Sequence, residues 1–592
     1  MSNFTLVREF GWCDGSNIPF LGEVCPDGSR PRPIRATRPL NLRPPGRWEL
    51  GILRRLLSSY GEKCEGILDG LLILLNRVPH TDRMEEIVVD GRAIGRFFFV
   101  PGRGFVLRPG AELAALLAGC AERLWVRADP GASEALLRGR NLMGPGVVDA
   151  DPDIEPGDEV VVLGEGVVAS GTAAKRGREM PRSRGMAVRI RYVSDGRWRP
   201  SRQASWNEVL EANREAIVGA EQAEVRRLTE VVRRYDREVA VSFSGGKDST
   251  AATLIALAAG LKPKLVFVDT GLEFPETRKY VEEFARRHGL ELLVEEAGDA
   301  FWKRLKTFGP PGRDYRWCCK VLKLGPTVRL ILREFPRGVL MIVAQRSVES
   351  PSRRRTGRLW RNPWVPRQIS YSPVQEWPTL LVHLYLMLKG EPTNPWYDMG
   401  LDRVGCYLCP SQDLGDWEAV RENAPEMAEK WESWLRSYAM ENGMPGEWVG
   451  LGGWRWARPP RWLPEAARVR RGKRHLRFRF SNGRLSFSRR VSLERISNLL
   501  RTLGEVSMRG DSLMVSGVVD AVVREDGALV RSGDWRLLAE AVGRGEDCVG
   551  CGICLGRCPY DAIELRGDRI VIKDSCVGCA ACLRGPCPAT RF

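Results

Sequence analysis

Cys548, Cys551, Cys554 and Cys558, closed by Pro559, follow a C-x2-C-x2-C-x3-C-P spacing; Cys576, Cys579, Cys582 and Cys587, closed by Pro588, repeat it with one extra residue before the last cysteine. Two-residue gaps hold three thiolates on one tight loop, the arrangement that wraps an iron–sulfur cluster. Two structural zinc sites of four thiolates are the competing reading, although zinc sites rarely use three evenly spaced cysteines followed by Cys-Pro. Upstream stand an adjacent pair, Cys318-Cys319, and Cys406-Tyr407-Leu408-Cys409. Neighbours on a strand point to opposite faces, so adjacent cysteines that share a metal need a helix or a bent loop. Alone the pair would read as buried apolar filler. The Cys-x-x-Cys that follows, flanked by Gly405 and Pro410, turns the reading toward a metal site.

Between the N-terminal region and these cysteines lies an apolar strand, Val239–Phe243, then Ser244-Gly245-Gly246-Lys247-Asp248-Ser249, then a helix-like run from Thr250 to Ala259. Strand, glycine loop and helix make an anion site: glycines let backbone N–H groups approach phosphate oxygens, and the helix N-terminus and Lys247 supply positive charge. It is not a Walker A loop, because Val241 stands where that motif needs its first glycine and Asp248 follows the lysine. A second strand, Leu265–Val268, ends in Asp269-Thr270-Gly271. Alternating strands and helices predict a doubly wound parallel sheet with its ligand beyond the carboxyl ends of the strands. Arg346 and Arg353 are candidates to face a sulfate or phosphate group, since guanidinium groups bind such oxygens bidentately; Arg355, Arg358 and Arg361 read equally well as a solvated basic face.

The elements that must position these residues are set by size and composition. A chain of 592 residues, 43% hydrophobic and 28% charged, is too long for one core and predicts three to five domains. No apolar run reaches the length of a membrane span, and Met1–Phe10 lacks an apolar signal region, so a cytoplasmic protein without a membrane partner is expected. There, clustered cysteines are metal ligands or redox groups instead of disulfides. The net charge of +17 predicts an anionic partner, nucleotide or nucleic acid.

The C-terminal cysteines resemble a bacterial-type ferredoxin module with two 4Fe-4S clusters. In such modules the fourth cysteine of each motif serves the other cluster. That implies one site on Cys548, Cys551, Cys554 and Cys587 and another on Cys576, Cys579, Cys582 and Cys558. Ser244–Ser249 resembles the PP-loop of the adenine-nucleotide alpha-hydrolase superfamily, and Asp269-Thr270-Gly271 with Pro275-Glu276-Thr277 is similar to the following block of the phosphoadenosine-phosphosulfate (PAPS) reductase family. Cys318-Cys319 with Lys320 or Lys323, then Cys406 and Cys409, resembles the 4Fe-4S arrangement of its adenylyl-sulfate (APS) branch. Gln345–Ser350 looks like the family's substrate-anion segment, and Asn394-Pro395-Trp396-Tyr397 like its run into the second cysteine pair. The resemblance spans roughly residues 237 to 415. It implies an adenine nucleotide on Ser244, Gly245, Gly246, Lys247, Asp248, Ser249 and Asp269, with Lys247, Asp248 and Arg346 as catalytic candidates, and three 4Fe-4S clusters in all. The sequence departs from the reductases twice. Its PP-loop is complete, as in members that split ATP, with Mg as the ATP counter-ion, and it has no terminal Glu-Cys-Gly-x-His run to supply their nucleophile.

The valine-rich, Pro-Gly-Asp-bounded strands around Arg138–Val148 and Asp153–Val162 resemble a PUA domain, which implies RNA as a partner. Arg138, Arg140, Arg176, Arg178, Arg182 and Arg184 could neutralise its backbone; a structural spacer is the competing reading. Trp12-Cys13 to Cys25-Pro26 looks like a zinc ribbon that has lost half its ligands, with Ser16 and Gly28 in place of cysteines, and Cys64 and Cys120 read as core residues. Seven tryptophans between Trp417 and Trp462 read mainly as core. Arg468 to Arg490 holds ten Lys or Arg and no acid, around a turn at Ser481-Asn482-Gly483; it suits a polyanion or an electron-carrier partner.

The expected organisation is multidomain α/β. Residues 1–80 form the degenerate ribbon region, 81–200 the PUA-like domain, 201–236 a helical connector, 237–465 the PP-loop domain, 466–540 a small basic α/β domain and 541–592 the ferredoxin module. The leading functional expectation is reduction of APS or PAPS to sulfite with electrons from the chain's own ferredoxin module, itself served by an electron-donor protein. ATP-dependent thiolation of RNA, such as tRNA, is the alternative enzyme, and an RNA-binding electron carrier the non-enzymatic one.

Overall fold

A computed structural model describes residues 9–202, 204–471 and 475–591. At its centre is a six-stranded sheet: β1 (Glu238–Ser242), β2 (Lys264–Asp269), β3 (Leu292–Glu296), β4 (Val339–Ile342), β5 (Leu359–Trp360) and β6 (Gln368–Tyr371), in the order β3-β2-β1-β4-β6-β5. All pairings are parallel except β5 with β6. This is the doubly wound core predicted from the alternating strands and helices. Side chains alternate between two cores: Val241, Leu265 and Ile342 join one with helices Lys247–Ala258 and Pro275–Arg287, while Ala240, Val266 and Met341 join another with helix Gly325–Glu334. A strand buried on both faces reads as a continuous apolar run, which is why these strands stand out in sequence.

The connector is one 30-residue helix, Trp206–Tyr235, capped by Ser205, whose hydroxyl accepts from the Glu208 amide while Glu208 returns to the Ser205 amide. Val209, Ile217 and Leu228 are fully buried in the main core, with Leu210, Ala216, Val231 and Val232 partly so. The helix is thus part of the central domain's wall.

The boundary expected at residue 80 falls inside a five-stranded sheet that joins Leu42–Arg43, Leu74–Arg77, Met84–Val89, Arg92–Val100 and Gly104–Pro109. The PUA-like sheet is a separate six-stranded one drawn from Trp125 to Ser194. Hydrophobic alternation alone could not separate two neighbouring β units. The ribbon-like segment forms a three-stranded sheet in which Cys13 is bonded to Cys25, and a second disulfide joins Cys64 to Cys120. The four cysteines are paired, not free as a reducing compartment predicts. Cys64 is a core residue as well as a bonded one.

The small basic domain is a six-stranded antiparallel sheet whose core extends into the C-terminal module through helix Trp535–Asp547, so the boundary at 540 also crosses a packed unit. The predicted hairpin is present, Phe478–Ser481 against Arg484–Phe487, with Asn482 and Gly483 at φ 48° and 73° as a tight turn requires. Lys473 and Arg474 of its basic run lie outside the described residues, as does most of Met1–Phe10. Arg489 and Arg490 are paired with acids and Arg471 donates to the carbonyls of Trp454 and Trp456. The basic surface is therefore narrower than the composition implies. Among the tryptophans Trp417, Trp431, Trp448 and Trp454 are buried and Trp462 is exposed. Among the described residues no helix is long and apolar enough to cross a membrane.

Candidate nucleotide and cysteine sites

The strand order reverses between β1 and β4, and ligands of doubly wound sheets bind in the crevice at that switch point. Ser244-Gly245-Gly246 follows β1 there. Gly245 has φ +70°, and a Cβ on it would lie 3.0 Å from Val281 and 3.2 Å from Thr277, so both conformation and space call for glycine. Ser244 and Ser249 hydroxyls meet at 3.3 Å across the loop.

Lys247 begins the helix and is 4% exposed. Its ammonium donates to the Asp402 carbonyl at 2.9 Å, lies 4.9 Å from the Tyr397 ring, and sits 3.7 Å from Asp248. Burial lowers its pKa, opposed by Asp248. The Lys247 amide, one of the unpaired donors at the helix start, is covered by the Tyr397 hydroxyl at 2.8 Å. Arg346, 4% exposed, reaches across from the end of β4 to within 2.7 Å of Asp248 and donates to Thr379 at 2.7 Å. Its Nε–H is not aimed at the carboxylate, so this is a charge contact and not an aligned hydrogen bond. Lys247, Asp248 and Arg346 are thus brought together, while Arg353 pairs with Glu349 and Arg358 with Glu224 and Glu376. Arg358 is not a solvated cation. Asp269 accepts from the Gly271 amide and pairs with Arg278 at 3.0 Å, at the mouth of β2.

Cys318 and Cys319 lie on a short helix, Trp317–Cys319, that runs into a π-helical segment, Lys320–Leu324. Such local widening re-aims side chains and recurs at functional sites. Cys406 lies 3.4 Å from the Thr270 hydroxyl and 3.6 Å from Glu273, whose carboxylate is 3.8 Å from Lys323. The Tyr407 amide donates to Leu272, which pins the Cys406–Cys409 loop to the segment after β2. Burial and Glu273 push the Cys406 thiol up to about 12, while Cys406 first, and Glu273 after burial's opposing effect, raise Lys323. Cys318, Cys406 and Cys409 act on one another electrostatically, so the two distant pairs share one locus. Lys323 pairs with Glu273 at this locus, while Lys320 acts on Cys319 and lies over Trp364 at 4.3 Å.

At the C-terminus Cys548, Cys551, Cys554 and Cys587 line one cavity together with Arg544 and Arg557. Arg544, 2% exposed, donates to the carbonyls of Cys582, Leu583 and Gly585 at 2.7 Å each. Burial pushes the thiols of Cys551 and Cys582 up to about 12, the latter with Cys558, Cys576 and Cys579 adding to the rise. Among the described residues no group of His, Cys, Asp or Glu is arranged to hold a single metal ion. A four-iron cluster spreads its thiolates farther apart than one ion does.

Tyr397, Asp402, Asn394, Thr270 and Glu273 belong to the site but carry no predicted role. Asn394 donates to the Gly245 carbonyl at 3.3 Å and to Thr277 at 3.0 Å. The Asn-Pro-Trp-Tyr block was the available signal; its approach to the glycine loop depends on the fold.

Asp402 connects this site to the N-terminal sheet. Arg77 lies 3.6 Å from its carboxylate and also pairs with Glu85, Asp413 and Asp416. Arg83, fully buried, bonds Glu49 at 2.6 Å and the Gly400 carbonyl at 2.7 Å, and Arg455 pairs with Asp82 at 2.9 Å. The loop that carries Cys406 and accepts from Lys247 is held from behind by this ion network.

Sheet order, glycine loop and β-rich module together define a PAPS-reductase-type PP-loop domain fused to a PUA domain. Residues 238–412 match the phosphoadenosine phosphosulfate reductase domain and residues 125–193 the PUA domain. The chain belongs to the same family as uncharacterized protein MJ0066 of Methanocaldococcus jannaschii, with which it is 30% identical over 470 residues, 75% of this chain and 95% of that one. It is also 29% identical over 206 residues to an adenosine 5'-phosphosulfate reductase of Geobacillus kaustophilus, 32% of this chain and 80% of that one. A 56-residue stretch is 54% identical to the archaeosine synthase of Haloferax volcanii, 9% of this chain and 10% of that one.

Proposed function

We propose that the chain is an iron–sulfur sulfonucleotide reductase that converts APS or PAPS to sulfite with electrons from its own C-terminal module. The observation that carries this reading is the packing of Cys551 against the core that holds Cys318, Cys319 and Cys406. A built-in supply of electrons against the central cysteine locus serves a reduction. When bound, four-iron clusters on the twelve named cysteines supply single electrons.

The chain's own residues supply the rest. Backbone amides of Ser244–Gly246 and the helix start bind the nucleotide anion. Lys247 is released from the Asp402 carbonyl to neutralise it. Arg346, freed from Asp248, orients the sulfate oxygens, and Asp269 is placed to anchor the nucleoside. Two electrons and cleavage of one S–O bond yield sulfite and the adenine nucleotide. The complete PP-loop and the PUA domain favour a second reading, ATP-dependent thiolation of an RNA base, and the short likeness to an archaeosine synthase is compatible with it.

The test is anaerobic turnover of the reconstituted protein with dithionite and APS or PAPS, with sulfite as the readout. Sulfite formation is expected. Absence of sulfite, together with pyrophosphate release from ATP only when RNA is present, would overturn the reductase reading in favour of the second.

A further inference from the structure

The C-terminal module is wedged into the catalytic domain by one of its two cysteine sets. Gly325 opens the helix Gly325–Glu334, directly after the Lys320–Leu324 segment that follows Cys319. A Cβ on Gly325 would stand 2.3 Å from the Cys551 carbonyl oxygen and 3.1 Å from its Cβ, so the backbone of Cys551 lies directly on this helix start. One turn along, Arg329 donates to the same Cys551 carbonyl at 3.1 Å and is itself held by Glu295 at 3.1 Å. Gly556 meets Val328 and Pro366, and Arg557 donates to the Pro363 carbonyl at 3.0 Å.

Cys558, Cys576 and Cys582 pack in the core of the small C-terminal domain, as do Cys548 and Cys554 of the first set, and of all eight cysteines Cys551, with its neighbour Val549, packs with the tryptophan-rich core around Cys318. Next to the outer set, Tyr560 and Val577 are 55% and 62% exposed. The two sets thus differ in what they touch: one touches the catalytic domain and the other lies beside open surface.

We infer that electrons move in a fixed order, entering at Cys558, Cys576, Cys579 and Cys582, passing to Cys548, Cys551, Cys554 and Cys587, and crossing to Cys318, Cys319, Cys406 and Cys409 at the Cys551–Gly325 contact. This rests on the iron–sulfur reading above. Each transfer oxidises the giving site by one electron and reduces the next by one, with no bond made or broken. An external one-electron donor, dithionite in the test below, refills the outer site. Gly325 and Arg329 are positioning residues: they fix the approach and touch no substrate.

The test uses the full-length, iron-loaded protein, with about twelve irons per chain. In the reduced protein, Cys548→Ser is expected to remove the EPR spin–spin interaction of the central site, and Cys576→Ser to preserve it. Gly325→Val is expected to slow dithionite reduction of the central site at least tenfold while iron stays near twelve. Should Gly325→Val fail to hold iron, Arg329→Gln, which removes one hydrogen bond and adds no bulk, decides, with a slowing of about threefold expected. Loss of the interaction in Cys576→Ser but not Cys548→Ser would overturn the order. So would wild-type rates in every iron-replete variant at Gly325 and Arg329. Wild-type iron near eight with no central signal would instead sink the functional reading.

Discussion

The central and C-terminal cysteine sites use the same ligand type in opposite surroundings. Cys548, Cys551, Cys554 and Cys587 come from one short segment, and the buried Arg544 guanidinium that lines their cavity holds the run into Cys587 by the carbonyls of Cys582, Leu583 and Gly585. Cys318, Cys319, Cys406 and Cys409 come from two segments far apart in sequence, and beside Cys406 stand Thr270, Glu273 and Lys323. The first environment draws all its thiolates from one segment and meets the central domain at Cys551. The second requires the doubly wound sheet, the loop after β2 and the N-terminal ion network to be in place. On the proposed function, the site that stores electrons is the modular one, whereas the site beside the nucleotide is built from the whole fold.

The largest effect that would sharpen this contrast is expected from Lys247→Ala. Removing the one cation at the helix start should lower nucleotide turnover roughly 10²–10³-fold. Iron should remain near twelve per chain, because Lys247 touches no cysteine. Sulfite release and iron assay check both; a parallel loss of iron would mean that the two sites are not separable. Next comes the backing of each site. Arg83→Leu takes one of the buried arginines from Glu49 and Glu85, leaving them to Arg43 and Arg77, and unbonds the Gly400 carbonyl; it should cost about 3 kcal/mol in denaturant unfolding. Arg544→Leu leaves three carbonyls unbonded and should cost less, about 1–3 kcal/mol, and only in the transition of the C-terminal unit. Equal losses in one shared transition would break the distinction between a modular and a fold-dependent site.

The same contrast explains what was legible beforehand. Cysteine spacing, the glycine loop and the β1 and β2 strands are local patterns, and each named residue of the loop sits where its pattern places it. The partners of the loop are not local. Tyr397 reaches Lys247 across 150 positions and Arg455 reaches Asp82 across 373. The Asn394–Tyr397 block marks Tyr397 but not its partner, and nothing in the immediate sequence separates Arg455 from a surface residue. Arg77, Arg83 and Glu85 read as ordinary charged positions of a half-exposed strand, yet they are buried between two sheets' worth of structure. The boundaries at 80 and 540 failed for a related reason: strands of adjacent units look alike until pairing partners are known.

The smallest expected effect is a pH dependence confined to the backing of the central site. Asp416 accepts from the Asp413 amide and lies 3.2 Å from Arg83 and 3.6 Å from Arg77. Burial raises its pKa from 3.8 to about 6, and Arg77 opposes the rise. A carboxyl whose folded pKa stands above its unfolded value binds more protons when folded between the two, so its contribution to stability falls as pH rises from about 4 to 6. Asp402, Asp413 and Glu85 are shifted the other way, and theirs is lost as pH falls. Asp416→Asn keeps an acceptor for the Asp413 amide and removes only the first contribution. The variant should therefore lose more stability than wild type on acidification across pH 6 to 4, as measured by urea midpoints. An identical pH profile in the two proteins would show that Asp416 is ionised throughout and that the arginines, not burial, set its charge.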